Sequence, residues 1–283
     1  MTILLFLILD CYCQTGKQYV LMGIAKEKTH IYKNHKVALL DFTKAIMINP
    51  KNDEAYYRRG ICKDELNDFE GAIADLDIAI NFNSNNEFAF HERGRAKLGL
   101  KYFSDAKKDF DTAININPKY ENAYWSRAMV NDSLSDYSQA IADYTKVIEL
   151  DSECAKCFLF RGSEKSKLKD DVGEIADLTQ AIDLFKIEIK KNAKDDSYFS
   201  SVIFIGMAYG MRGSCKFGLE DYRGAVADFD QDIKFIPNDK GAYQDRGSCK
   251  FNLNDKEGAC LDWSKAGELG DAEAYDLIKK HCN

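Results

Sequence analysis

One pattern recurs at fixed spacing along this chain and limits what it can fold into. Tyr56-x-x-Arg59-Gly60 returns as Phe90-x-x-Arg93-Gly94, Tyr124-x-x-Arg127-Ala128 and Phe158-x-x-Arg161-Gly162, each copy 34 residues after the last. After a longer step it returns as Tyr209-x-x-Arg212-Gly213 and Tyr243-x-x-Arg246-Gly247. Twelve residues beyond each small residue stands Ala72, Ala106, Ala140, Glu174, Ala225 or Ala259. Four further comes a bulky group: Leu76, Phe110, Tyr144, Leu178, Phe229 or Trp263. Three further comes Ala79, Ala113, Val147, Ala181, Asp232 or Ala266. A weaker first copy runs Met22, Lys26, Ala38, Phe42, Ala45, and all three prolines (Pro50, Pro118, Pro237) close a copy. A period of this length means a stack of like units. One unit cannot bury its own apolar face and gains stability only from its neighbours.

Within each copy, apolar residues fall at spacings of three and four, which marks two amphipathic helices. Glycine in a helix costs about 1 kcal/mol relative to alanine, so its recurrence calls for a packing reason. Gly in the first helix and Ala in the second let the two approach closely, and the bulky residue fills the gap that remains. Short polar turns separate the helices: Leu66-Asn67-Asp68, Leu134-Ser135-Asp136, Leu219-Glu220-Asp221 and Leu253-Asn254-Asp255. Their Asp is placed to cap the second helix.

The aromatic-Gly-Ala-aromatic-Ala-Pro pattern at this period resembles the tetratricopeptide repeat family, over about 19–273. The resemblance implies an all-α fold, a right-handed α-solenoid of helix-turn-helix repeats with about seven copies and a C-terminal capping helix. Repeats one to five fall over 19–188, an elongated helical hairpin over 182–205, repeats six and seven over 206–273, and the cap helix over 272–283. It further implies that the first helices line a concave groove for an extended or helical segment of a partner protein. Carried over by column, the groove candidates are Tyr57, Ile61, Phe88, His91, Arg95, Asn122, Trp125, Met129, Leu159 and Ser163. Some chaperone-binding members hold a C-terminal carboxylate in a Lys/Asn/Arg clamp. The matching columns here contain Tyr57, Ile61, Glu92, Asn122 and Ser126, so that clamp is not assembled.

Two features depart from the family's pattern. Six copies carry Arg before the small residue: Arg59, Arg93, Arg127, Arg161, Arg212 and Arg246. Every copy carries Asp before the bulky residue of the second helix: Asp41, Asp75, Asp109, Asp143, Asp177, Asp228 and Asp262. Opposite charges at fixed phase predict a structural ladder of ion pairs rather than a row of anion sites. The pairs form within a repeat, or between an Arg and the Asp of the preceding repeat. The second register is favoured, because the first copy has Asp41 but Ala25 in place of Arg. On that register Arg127 faces Asp109.

The other departure is length, since Arg161 and Arg212 stand 51 residues apart, 17 more than one period. The second helix of repeat five and the first of repeat six are expected to run on by about two turns each. Asp195, Asp196 or Ser197 would cap the later one. The extension is either neutral length variation or an arm for dimerisation or a partner.

Function is bounded mostly by exclusion. Lys plus Arg number 39 against 46 Asp plus Glu, a net charge of −7, which speaks against a nucleic-acid binder. His30, His35, His91 and His281 stand in no metal or catalytic motif, and the carboxylates recur with the repeat. No catalysis, cofactor, metal or small-molecule substrate is expected. Among nine cysteines, Cys62, Cys215 and Cys249 share one core column. Cys154-Ala-Lys-Cys157 lacks the second pair of a zinc site, which leaves chance spacing or a local disulfide. An antiparallel last pair of helices turning near Gly270 would bring Cys260 to Cys282, a disulfide suited to an oxidising compartment.

Residues 3–9 are apolar but too few to span a bilayer. They read as the core of an export signal over 1–13, or as an apolar cover for the first repeat. The expectation is a non-catalytic scaffold that binds a protein or peptide segment. Its expected location is the periplasm or envelope, or the cytoplasm if 1–13 stays, with membrane association only through a complex. The alternative is a structural component of a cell-envelope assembly.

Overall fold

The computed structural model describes residues 16–24, 35–191 and 197–282. The export segment 1–13 and the capping side chains expected near 195–197 lie outside the described residues. The chain divides after Asp136 into two compact units. The first holds α1 (16–24), α2 (His35–Ile48), α3 (Asp53–Glu65), α4 (Phe69–Phe82), α5 (Glu87–Gly99), α6 (Phe103–Ile116) and α7 (Glu121–Ser133). The second holds α8 (Tyr137–Leu150), α9 (Ala155–Lys167), α10 (Asp171–Lys191), α11 (Ser197–Gly218), α12 (Tyr222–Phe235), α13 (Lys240–Asn252), α14 (Lys256–Glu268) and α15 (Ala272–His281). No strand occurs among the described residues. In each unit a helix packs on its neighbours in sequence, an α-solenoid arrangement. The first helices of successive pairs also touch: α3 with α5 and α5 with α7 in one unit, α9 with α11 and α11 with α13 in the other. First helices therefore form the inner side of each unit.

The recurring small residues set how closely the helices approach. A methyl group added at Gly94 would lie 2.6 Å from the Phe110 ring, and one at Gly247 would lie 2.8 Å from Trp263. Phe110 and Trp263 are among the most completely buried side chains, each flanked by fully buried alanines such as Ala106 and Ala259. The turns into α4, α10, α12 and α14 are equally regular. Asp68, Asp170, Asp221 and Asp255 accept the backbone N–H of Gly71, Gly173, Gly224 and Gly258 at 2.9–3.0 Å. The residue before each turn Asp is left-handed without being glycine, as at Asn67 (φ 62°), Lys169 (φ 60°), Glu220 (φ 62°) and Asn254 (φ 67°). Such a conformation costs roughly 1 kcal/mol or more for a residue with a Cβ. The cap helps offset that cost.

The Arg and Asp columns meet inside the helix pairs. Arg59 pairs through both Nε and a terminal nitrogen with Asp75, at 2.8 and 2.7 Å. Arg93 with Asp109, Arg161 with Asp177, Arg212 with Asp228 and Arg246 with Asp262 repeat this geometry at 2.6–3.0 Å. The expected register between repeats is thus corrected: the bidentate partner lies in the same repeat, and Asp109 belongs to Arg93. Two residues along a helix turn about 200°, so the ladder Asp faces its own first helix while the residue two positions on faces the next. That position supplies each Arg with another partner, charged in Asp77, Asp111 and Asp230 (2.6 Å each) and neutral in Thr43, Thr145 and Thr179. Asp41 and Asp143 are buried like the other ladder carboxylates.

A Lys four residues after the Arg completes each described cluster. Lys63, Lys97, Lys165, Lys216 and Lys250 reach Asp75, Asp109, Asp177, Asp228 and Asp262 at 2.7–2.8 Å. The aromatic three residues before each Arg lies under its guanidinium, as Tyr209 lies 5.4 Å from Arg212.

The length insertion is housed in α10 and α11, which have 21 and 22 residues where α12 has 14 and α13 has 13. Phe185 and Phe204 stack across the two extended helices at 5.9 Å, and the Ser201 hydroxyl donates to Glu188. At the other end, Gly270 takes φ +89° and turns α14 into α15. A disulfide joins Cys260 to Cys282 across that pair, and another joins Cys154 to Cys157 at the start of α9.

Asp228 holds two cations, whereas Arg212 has the neutral Thr179 as its other partner. Asp228→Asn is therefore expected to destabilise more than Arg212→Met, because it strands two half-buried cations; breaking a buried pair costs about 3–5 kcal/mol. Thermal melts of the two variants and of the double variant test this, with the double expected to be milder than Asp228→Asn alone.

Candidate functional site

The inner face of the first unit carries eight of the ten groove candidates. Their exposure divides them. Phe88 (45 % exposed), Met129 (49 % exposed) and Asn122 lie open to solvent. Tyr57, Ile61, Trp125 and Arg95 are half-buried. His91 is buried and belongs to an internal network. Its Nε2 lies 3.0 Å from Ser126 Oγ and its Nδ1 3.1 Å from Glu92 Oε1, and the ring packs against Tyr120. Arg95 donates to Glu92 at 2.7 Å and reaches Asp64 at 3.3 Å and Glu65 at 3.5 Å. In the second unit Leu159 is a core residue, packed with Leu178, Ile182 and Phe185, while Ser163 lines a cavity. Two groove assignments therefore move inward: Leu159 into the apolar core and His91 into the polar network. The physical reason is contact with neighbouring helices: the next first helix for His91 and the long α10 for Leu159.

This network holds carboxylates in unequal states. Burial alone would raise Glu92, but the hydrogen bonds and charges of His91 and Arg95 outweigh it and hold the carboxyl below its ordinary range. Asp64 is pushed up to about 6 by burial, against the pull of Arg95. Burial and the Glu92 charge push the Tyr120 hydroxyl up to about 12 and raise Tyr57 as well. The result is a ring-lined, pre-tied polar surface flanked by the exposed Phe88 and Met129.

The second unit contains an open cavity of about 700 Å³, walled by α9 through α13. Its apolar walls include Met207, Met211 and Phe229, and its carboxylates are Asp171, Glu174, Asp232, Asp239 and Asp245. Lys167, also on its lining, is engaged by Glu164 at 3.1 Å. Asp232 is only 3 % exposed, and its Oδ1 has no hydrogen-bond partner. Burial, with a lesser push from Asp239, raises its carboxyl to about 7.

Asp171, Glu174 and Cys215 bring one donor atom each within 4.8 Å, a grouping that could hold a metal ion. The cysteine of this group keeps its proton. The Cys215 thiol donates to the Asp171 backbone carbonyl at 3.7 Å, and burial with the Glu174 and Asp171 charges pushes it up to about 12. Cys62 and Cys249 are buried and stand outside the two disulfides.

A face of first helices, stiffened by charge clusters and presenting rings and ion pairs, defines a helical-repeat scaffold. Residues 121–154 match the tetratricopeptide repeat family, and the other copies keep the same phase on either side. The chain carries one copy that matches this family and resembles it over the remaining copies. It is similar to the C-terminal part of a repeat protein of this type from Cytophaga hutchinsonii, at 15 % identity and a TM-score of 0.71, over 92 % of this chain and 98 % of that one. A tetratricopeptide repeat protein from Parabacteroides merdae aligns at 18 % identity and a TM-score of 0.56, over 95 % of this chain and all of the other. Pseudomonas aeruginosa PilF aligns at 16 % identity and a TM-score of 0.62, over 82 % and 96 %. At these identities the likeness is one of fold. The curated protein sequences contain no match.

The cavity had a signal in the sequence. Gly210 stands in the column of Tyr57, His91, Trp125, Leu159 and Gln244, and Asp232 stands in the column of Ala45, Ala79, Ala113, Ala181 and Ala266. One copy thus loses a large inner side chain and gains a buried acid.

The raised carboxyl of Asp232 gives stability a pH dependence of definite sign. Below about pH 4 both folded and unfolded chains hold its proton; between about 4 and 7 only the folded chain does, so stability falls as pH rises through that window. Asp232→Asn removes this contribution. Its melting temperature is expected to match the parent near pH 4 and to exceed it by about 4–8 °C at pH 8, which corresponds to about 2 kcal/mol.

Proposed function

We propose that the chain is a non-catalytic scaffold that holds a segment of a partner protein on its first-helix faces. The observation that carries this reading is the inner face of the first unit. Exposed Phe88 and Met129 flank a network already fixed by His91, Glu92 and Arg95. A pre-organised surface with aromatic and Arg anchors loses little freedom on binding. The fold supports the same reading, since proteins of this family act broadly as interaction scaffolds. The test is selection of binders from a displayed random peptide library with the full chain. Selected peptides are expected to lose at least tenfold in affinity for the Phe88→Ser, Met129→Ser double variant. They should keep it for Leu261→Ser, on the exposed face of a second helix. Equal loss in both would overturn the reading.

A second reading rests on the extended pair α10 and α11. Ile187, Phe199 and Ile203 are exposed there (48 %, 73 % and 52 %). Such an arm fits a role in assembly, and a concentration-dependent mass abolished by Phe199→Asp would favour it over the scaffold.

We infer export to the periplasm or envelope for the same protein. What supports it is the pairing of four cysteines, Cys154 with Cys157 and Cys260 with Cys282. Disulfides persist in oxidising compartments. Among the described residues no helix is long and apolar enough to cross a membrane, so an envelope location would run through a complex. Intact mass of the natively expressed protein is expected to fall short by residues 1–13, with three cysteines alkylated before reduction and seven after. A full-length mass with every thiol free would refute it.

A further inference from the structure

We propose that the cavity walled by α9 through α13 is a receptor for one basic side chain, a Lys or Arg of the bound partner, with Asp232 as its counter-ion. The proposal deepens the scaffold reading and rests on it. It starts from the paired exchange in repeat six. Where other copies place Tyr, His, Trp, Leu or Gln, this copy has Gly210; where they place a small apolar residue, it has Asp232. The two positions face each other, since a methyl group at Gly210 would collide with Asp232 Oδ2, and one at Gly206 would lie 3.3 Å from Oδ1. The exchange therefore removes an inner side chain and directs a carboxylate into the space.

The buried ladder carboxylates Asp75, Asp109, Asp177, Asp228 and Asp262 each have a lysine at 2.7–2.8 Å, whereas the buried Oδ1 of Asp232 has no hydrogen-bond partner. A buried carboxylate without a partner is strongly disfavoured, and a cation brought to it by a ligand relieves that penalty. The surrounding charges reinforce the sign. Asp239 and Asp245 of the α13 side and Asp171 and Glu174 of α10 line the same cavity, and its one lysine, Lys167 of α9, is tied to Glu164.

The shape selects among cations. The grouping of Asp171, Glu174 and Cys215 within 4.8 Å does not include Asp232, so a single metal ion held there would leave Asp232 unmatched. A cavity of about 700 Å³ is also far larger than one ion requires. Met207 and Met211 on its wall suit the methylene stem of a long basic side chain, whose head would then reach the carboxylate.

The test uses the full chain, labelled for amide NMR, and titrates N-acetyl-lysine N-methylamide against its norleucine counterpart and against calcium and zinc chloride. The lysine probe is expected to shift the amides of Gly210, Asp232 and Ala242 saturably, the norleucine probe not at all. Asp232→Ala, which restores the residue that most other copies carry, is expected to weaken the lysine probe at least tenfold while leaving the melt cooperative. Absence of lysine-specific shifts, an unchanged affinity in Asp232→Ala, or shifts produced by the metal ions alone would each overturn the proposal. Library peptides that still bind Asp232→Ala, with no dependence on a basic residue, would overturn it and leave the scaffold reading standing. Should the lysine probe bind its cavity while no library peptide binds the chain, the scaffold reading would fail and the cation site would remain.

Discussion

A carboxylate buried between two helices and held by an arginine and a lysine from the helix before it is the contact on which this structure turns. Desolvating such a group costs several kcal/mol, and only close, geometrically matched cations offset it. Here the match is supplied by helix geometry. The Arg and Lys sit one turn apart on the first helix, and the hairpin brings the Asp opposite both. The aromatic three residues before the Arg lies against its flat face. Because the glycine beside that Arg admits Phe110, Trp263 or their counterparts at contact distance, charge matching and apolar packing fix the same helix separation. Neither could change without the other.

The period, the helix pairs and the two charged columns are legible in the sequence because each is repeated, and repetition separates a structural requirement from accident. The partner assignment was not legible from the absence of an Arg in the first copy. It depends on which side of a second helix each residue faces, a rotation of about 200° between Asp75 and Asp77. The lysine column (Lys63, Lys97, Lys165, Lys216, Lys250) was visible at the same period and is the signal that would have shown the ladder Asp to be shared within its own repeat.

The inner face was read less well than the frame. Column matching placed His91 and Leu159 on an open groove, but side chains on the crowded side of a repeat stack are drawn against one another. Their burial follows from the particular neighbours each meets, Ser126 and Tyr120 for His91 and the α10 side chains for Leu159, which a column does not report. The Gly210 and Asp232 exchange carried more information than any of the groove candidates, since it breaks two columns at once in one copy. Where a repeat is kept elsewhere, a compensated pair of departures marks a place where the stack gives up packing for something else.

The within-repeat register of the charge clusters has a consequence for how such a chain changes length. Arg93 and Lys97 share Asp109 of their own copy, so the central cluster of a 34-residue segment forms without its neighbours. A tandem duplication or deletion of one period leaves no orphaned charge at the new junction beyond the single Asp or Thr contact that it re-forms. Copy number can drift by whole modules, while the interior of each module stays closed to piecemeal substitution.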